Sequence, residues 1–380
     1  MEYKLVTSQS ELDAVCEAAR QQDAVAIDTE FVRTRTLMPQ LGLIQLYDGK
    51  QLVLIDPLAM DDFTSLIALL TDQNVVKVLH SCSEDLETFL NAFNVVPSPI
   101  FDSQFAASVL GKGATLGYAR LVEMQSGVVL DKGESRTDWL ARPLSEKQCA
   151  YAANDVLYLL PVYHELLDEI NEAGKLDWVY QEIASLAKRK RAQVPLDMAY
   201  LQLKNIWRLN QTQLTVLQAL AAWRLSRARD KDMALNHVFK EGNLFESAVR
   251  LVQSKSALAK IPTVSPQEVR FNGNKVAAIV TQTLEELECG ERSLVAKVKR
   301  LIDVKHYKAT FSELKQACQK VADENQVSVD VIASKKQINQ VLKWTWFELD
   351  ETRALGLEPD LLSGWRGPLL KSEFDQILSK

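Results

Sequence analysis

Two carboxylates on one strand carry the first chemical signal in this chain. In AVAIDTEFV, Asp28 and Glu30 stand two residues apart in a largely apolar segment. Successive side chains of a strand point to opposite faces, so positions i and i+2 share a face. Two acids on one apolar face repel each other and are costly to desolvate. A divalent cation between them relieves both penalties, and hard oxygen ligands suit Mg²⁺ or Mn²⁺. The competing reading is a strand end that dips into solvent.

Two further acids matter beside this pair. Asp85 falls in the first turn of the helix expected after VVKVLH, where the macrodipole favours a carboxylate without any function. Asp155 lies in AYAANDVLYLL, an almost wholly apolar helix, with Tyr151 one turn earlier on the same face. A charge inside such a helix calls for a partner or a metal; the plain alternative is an Asp at the edge of the buried stripe. The four acids are more telling together. Hydrolysis of a phosphodiester is served by two metal ions roughly 3.5–4 Å apart, one activating water and one stabilising the leaving oxygen. Four carboxylates can hold such a pair, and the Tyr151 phenol can orient or deprotonate the attacking water.

The elements that must position these groups alternate between strand and helix. AVAIDTEFV, LGLIQLYD and QLVLIDPL read as three strands, the last two joined by a turn at Asp48-Gly49. FTSLIALLTD reads as a helix and VVKVLH as a further strand. SCSEDLETFLNAFN opens with a capping-box pattern, Ser81 to Glu84, and continues as a helix. PIFDSQFAASVLG and SEKQCAYAANDVLYLLPVYHELLDEINEAG read as more helices. This order predicts an α/β domain, a mixed sheet covered by helices, over residues 1–195. KRKRAQVPLD at 188–197 reads as a domain edge. Beyond it the apolar spacing is helical, which predicts two all-α domains over 205–290 and 291–380, the second running through LVAKVKRLIDV, FSELKQACQKVADEN and INQVLKWTWFEL. Ser328 and VSVDVIASKKQINQVL suggest a helix–turn–helix arrangement.

With 380 residues, 47% of them hydrophobic, the chain can bury two or three cores. Its apolar runs fall short of the roughly 18 residues of a membrane span, and MEYKLVTSQSELD lacks a signal peptide's apolar stretch, so a cytoplasmic protein is expected. Five scattered cysteines and four dispersed histidines exclude a disulfide framework and a Cys/His zinc site. The net charge of −6 divides into −11 over residues 1–195 and +5 over 196–380. That asymmetry suits a metal site joined to a polyanion-binding module, although ordinary surface variation gives as much.

At these residues the chain resembles a known family. Asp28-Thr29-Glu30, the Asp85 of HSCSEDLE, and Tyr151 with Asp155 match the three motifs of the DEDD superfamily of 3′→5′ exonucleases, tyrosine subgroup. DTEFVRTRT, PQLGLIQL and SRTDWLARPLSEKQCAYAANDV, with the helical half, look like the bacterial ribonuclease D family, whose helical modules are tandem HRDC domains. The resemblance implies a ribonuclease H-like catalytic fold and two divalent ions. Asp28, Glu30 and Asp155 would bind one, Asp28 and Asp85 the other, and Tyr151 would position the water. It implies release of nucleoside 5′-monophosphates from RNA with a free 3′ end, tRNA precursors among the substrates. No obligate protein partner and no membrane are implied. The rivals are a DNA exonuclease, since a metal site is indifferent to the sugar, and an inactive nucleic-acid-binding scaffold, whose hallmark would be a lost acid.

Other residues stay open on sequence grounds. Phe31 suits base stacking or core packing, and His80 reads as structural. Arg33, Arg35, Arg136 and Arg142 suit phosphate or surface acids. Gln45 and Trp139 suit a groove lining or a core. Arg224, Arg227, Arg229 and Lys231, then Lys297, Lys299, Arg300, Lys305 and Lys308, suit an RNA backbone or a solvated face. Trp344 and Trp346 cannot share one helical face, so at least one is expected in a domain interface.

Overall fold

The computed structural model describes residues 2–379 apart from 131, 132 and 135; Ser135 of the SRTDWL motif thus lies outside the described residues. The first half holds six strands: β1 (Lys4–Val6), β2 (Ala24–Val32), β3 (Gln40–Tyr47), β4 (Leu52–Ile55), β5 (Val76–Leu79) and β6 (Ile100–Asp102). They form one mixed sheet in the order β1-β4-β3-β2-β5-β6. β2, β3 and β4 are antiparallel neighbours, whereas β1, β5 and β6 join by parallel pairing. The turn at Asp48-Gly49 is built as expected: Asp48 Oδ1 accepts from the Lys50 and Gln51 N–H groups, and Gly49 has φ +86°.

Alternation along the strands sorts the core into two layers. Val25, Ile27, Ile44 and Ile55 face α1 (Gln9–Ala19), α2 (Thr64–Thr71) and α3 (Ser83–Phe93). Ala24, Ala26, Leu43 and Leu54 face the opposite layer, which holds α4 (Ser103–Val109), α5 (Tyr118–Ser126), α6 (Glu146–Leu157) and α7 (Leu159–Glu172). An extra residue, Gly42, interrupts the β2–β3 register, so Leu41 and Leu43 pack on opposite faces. A Cβ at Gly42 would lie 2.5 Å from the Trp139 carbonyl oxygen, which explains the glycine.

Three local expectations are corrected. Ile100–Asp102 is a strand rather than the start of a helix, because Asp102 caps α4 instead: its Oδ1 accepts from the Gln104 and Phe105 N–H groups. The Ser81–Glu84 capping box does not form. Ser81 takes the left-handed conformation, φ +59°, and α3 begins at Ser83; the neighbouring Cys82 N–H donates to Asp102 Oδ2 at 2.8 Å. LVAKVKRLIDV is not an α-helix; only Leu301–Asp303 form a 3₁₀ turn. Val295 and Val298 pack instead against the first helical core, and the Val295 N–H donates to Thr215 Oγ1.

After α8 (Leu176–Arg191), that first helical core gathers around α9 (Gln211–Lys231), α10 (Leu235–Val238), α11 (Glu241–Val249), α12 (Lys255–Leu258) and α13 (Pro266–Glu288). The last block comprises α14 (Tyr307–Glu324), α15 (Val329–Ile332), α16 (Lys335–Trp346), α17 (Glu351–Ala354) and α18 (Gly367–Leu378). Ser328 caps α15 and Ser334 caps α16 through a capping box with Gln337. The apolar core of this block is continuous with the α6/α7 layer of the α/β half.

Candidate active site

β5 is only four residues long and pairs with β2 solely over Ala24–Ala26. The stretch of β2 from Asp28 onward therefore runs past the end of its neighbour, and both of its faces reach one cleft. That cleft, about 400 Å³, is lined by Asp28, Thr29, Glu30 and Phe31 from β2, by Ser81, Glu84 and Asp85 at the start of α3, and by Tyr151 and Asp155 from α6. His80, Tyr118 and Leu159 complete the wall. All five residues expected to do chemistry are thus brought together.

Each is placed by a local device. α6 starts at a capping box in which Ser145 and Gln148 exchange hydrogen bonds of 3.0 and 3.1 Å. Ala152, Ala153 and Val156 bury one side of the helix, which leaves Tyr151 and Asp155, one turn apart, on the cleft side. Asp85 sits in the first turn of α3, and Thr29 Oγ1 donates to its Oδ1. A residue on the second face of β2 thereby fixes the acid that follows β5.

The electrostatics are those of uncompensated acids. Among the described residues no lysine or arginine lines the cleft. Asp85 is buried, and Asp28, Glu30 and Asp155 are half-buried. Burial, then the charges of Asp85, Asp155 and Glu30, hold the Asp28 carboxyl well above the usual range. Glu30 is pushed up to about 9 by burial and then by Asp155 and Asp85. Burial raises Asp155 to about 7 against the opposing Tyr151 hydrogen bond, and raises Asp85 to about 6 against the opposing Thr29 hydrogen bond. The Tyr151 phenol is itself pushed up by burial and by Asp155, so it stays protonated and donates to Asp155.

This donor set, four hard oxygen acids without a cationic partner, fits divalent ions. As they stand, no three His, Cys, Asp or Glu side chains among the described residues are close enough to hold one ion.

The remaining candidates divide. Phe31 is half-buried and borders the cleft. His80 Nδ1 is 2.9 Å from Ser103 Oγ, which agrees with a structural role, although the ring also borders the cleft. Arg142 does not reach it: Nε and Nη2 grip Asp56 at 2.6 and 2.7 Å, and Nη2 also donates to the Gly42 carbonyl. Arg33 pairs with Glu87 at 3.0 Å, whereas Arg35 and Arg136 are exposed. Gln45 and Trp139 are not groove-lining; both are buried behind it. Arg224 leaves the RNA-tracking set, being buried with Nη1 directed at the Phe239 carbonyl. Arg300 stacks 3.9 Å from the Trp207 ring and pairs with Asp303. Trp346 packs on the shared core and Trp344 lies under Arg353. Sequence reasoning missed Thr29 and Tyr118 as members of the site. The Thr29 contact depends on where β5 stops, and Tyr118, whose hydroxyl donates to the Asn154 carbonyl, comes from a helix with no spacing signal.

Comparison with known proteins agrees with this geometry. The 3′-5′ exonuclease family matches residues 3–171, the HRDC domain matches 213–280, and the ribonuclease D C-terminal HRDC domain matches 305–374. The chain is 45% identical to ribonuclease D of Cronobacter turicensis over 98% of its own length and 99% of that protein. It is 42% identical to ribonuclease D of Escherichia coli over 100% of its length and 99% of that protein. The crystal structure of Escherichia coli RNase D, described as an exoribonuclease involved in structured RNA processing, superposes with a TM-score of 0.94 at 41% identity, covering 100% of this chain and 99% of that one. Among the described residues no helix is long and apolar enough to cross a membrane. On these likenesses the protein belongs to the ribonuclease D family and is a 3′→5′ exoribonuclease.

Proposed function

We propose that Asp28, Glu30, Asp85 and Asp155 hold two divalent ions, Mg²⁺ or Mn²⁺, and that Tyr151 positions the attacking water. The convergence of four carboxylates and one phenol on a single cleft, with no basic side chain among the described residues lining it, carries this reading. Enzymes of the DEDD exonuclease class use divalent metals, and when bound these would acidify a water and neutralise the leaving oxygen. The chain's own groups do the rest. The Tyr151 phenol, beside Asp155, orients the attacking water. Thr29 fixes one rotamer of Asp85. Phe31 and Tyr118 wall the cleft and offer aromatic faces to a terminal base.

The substrate is RNA with a free 3′ end, and the product a nucleoside 5′-monophosphate. The relative's link to structured RNA supports trimming of structured precursors, tRNA precursors among them, in the cytoplasm. Arg35, Arg136, Arg227 and Lys231, with Lys297, Lys299, Lys305 and Lys308, are the basic side chains proposed to steer the RNA backbone.

The test is a time course on matched RNA and DNA oligonucleotides labelled at the 5′ end, with Mg²⁺, with Mn²⁺ and with EDTA. RNA should shorten from its 3′ end only when metal is present. Asp28→Asn should abolish cleavage while RNA is still bound. Cleavage that persists in Asp28→Asn refutes the site, and equal cleavage of DNA refutes the sugar preference.

A further inference from the structure

Gln45 is a side chain behind the cleft whose chemistry nothing above uses. It lies on β3 in the segment LGLIQLY, surrounded by apolar positions. It has no solvent exposure, and both its amide nitrogen and its amide oxygen lack a hydrogen-bond partner. A buried amide that makes no bond is expensive, and a leucine of similar volume would be cheaper. The antiparallel register places Gln45 directly opposite Asp28. Cross-strand partners project from the same face with their Cβ atoms about 5 Å apart. Gln45 therefore stands on the protein side of Asp28, while the cleft lies on the other. The same layer holds a second unpartnered donor, the buried Trp139 Nε1, in a ring 6.2 Å from that of Tyr151. Two polar groups behind the two working side chains, both without partners, point to bonds made only in another state of the site.

We propose that Gln45 is a positioning residue for Asp28: its amide N–H₂ donates to the Asp28 carboxylate when that group engages metal, and fixes which oxygen faces the cleft. Ligating carboxylates are ordinarily held from behind by such a donor, and losing it weakens metal binding by 10–100-fold. The inference rests on Asp28 being a metal ligand.

The experiment compares Gln45→Met and Gln45→Leu with the wild type in three measurements. The first is thermal unfolding without metal, where loss of an unpaired amide should leave the melting temperature equal or higher. The second is Mn²⁺ binding followed by electron paramagnetic resonance, where affinity should fall about tenfold or more. The third is single-strand RNA hydrolysis, where kcat should fall with KM unchanged. In the ¹⁵N spectrum of the wild type, the Gln45 side-chain N–H₂ pair should shift when Mg²⁺ is added. Unchanged Mn²⁺ affinity in two folded variants, or an N–H₂ signal blind to Mg²⁺, overturns the proposal. Asp28→Asn separates the two levels: if it still binds Mn²⁺ as the wild type does, the reading of the site fails first. If it loses Mn²⁺ and Gln45→Met does not, only the role of Gln45 is wrong.

Discussion

The two helical blocks are fastened to the catalytic half in opposite ways. The last block shares its apolar core: Trp365 stacks on Trp178 of α8 at 4.3 Å and lies 6.2 Å from Phe105. Around that contact Arg366 pairs with Glu182, which also accepts from Trp365 Nε1, and Arg189 pairs with Asp360 at 2.8 Å. The first block has a core of its own and holds the catalytic half by polar contacts. Asp232, at the end of α9, accepts from the Leu37 and Met38 N–H groups at 3.1 and 3.0 Å, and the Ala234 N–H donates to the Arg35 carbonyl at 2.8 Å. Burial of apolar surface is cumulative and indifferent to direction, so the last block is set rigidly. Exposed hydrogen bonds exchange readily with water, so the first block is the one able to let go. What it holds is the loop that leaves β2 just after Glu30 and Phe31.

Five substitutions probe that contrast. Trp365→Ala should cost most, about 4 kcal/mol, and calorimetry should show the catalytic half and the last block melting together at lower temperature. Two separate transitions in the wild type would break the comparison. Arg366→Met removes the cationic partner of Glu182 in a largely enclosed site and should cost about 3 kcal/mol, read by urea unfolding; a change below about 1 kcal/mol would show that the stack alone makes the joint. Arg142→Ala removes a shielded polar clamp inside the catalytic half and should cost about 2 kcal/mol. Burial pushes the Asp56 carboxyl up, but the Arg142 hydrogen bonds, helped by the Leu58 N–H, outweigh it and hold Asp56 below its ordinary 3.8. A lowered native pKa gives stability that is complete above the unfolded value and lost as pH falls through the native one. The wild type should therefore shed this contribution below about pH 4, and Asp56→Asn should flatten that part of the curve. Asp232→Ala should be mildest for stability, about 1 kcal/mol. Hydrogen exchange at Leu37 and Met38 should nevertheless speed up, and KM should rise for structured RNA more than for short single strands. Equal rises on both substrates would make the contact a local cap and nothing more.

Much of this was legible in the sequence because it rests on local periodicity. Asp28 and Glu30 share a face by strand alternation, and Tyr151 and Asp155 share one by helical spacing. Asp85 needed the order of motifs, since an acid in a first turn is ordinary. What escaped were features set by partners far along the chain. Ile100–Asp102 is a strand only because β5 is there to pair with it. Ser81 is barred from capping by the turn it has to make, and the segment around Val295 is drawn out of a helix by a core belonging to the preceding block. Arg142 and Arg224 looked like anion binders because nothing in the sequence shows that Asp56 and the Phe239 carbonyl wait for them.

The left-handed residue at Ser81 has a further consequence. It turns the chain out of the sheet within two residues of Leu79, before a fourth pair with β2 can form. Were the strand to continue, backbone from β5 would roof Asp28 and Glu30, and the acids would become a fault in a closed sheet rather than a working pair. Catalysis in this fold therefore depends on an interruption. A segment that prolonged β5 past residue 81 should extinguish the nuclease with every acid still in place.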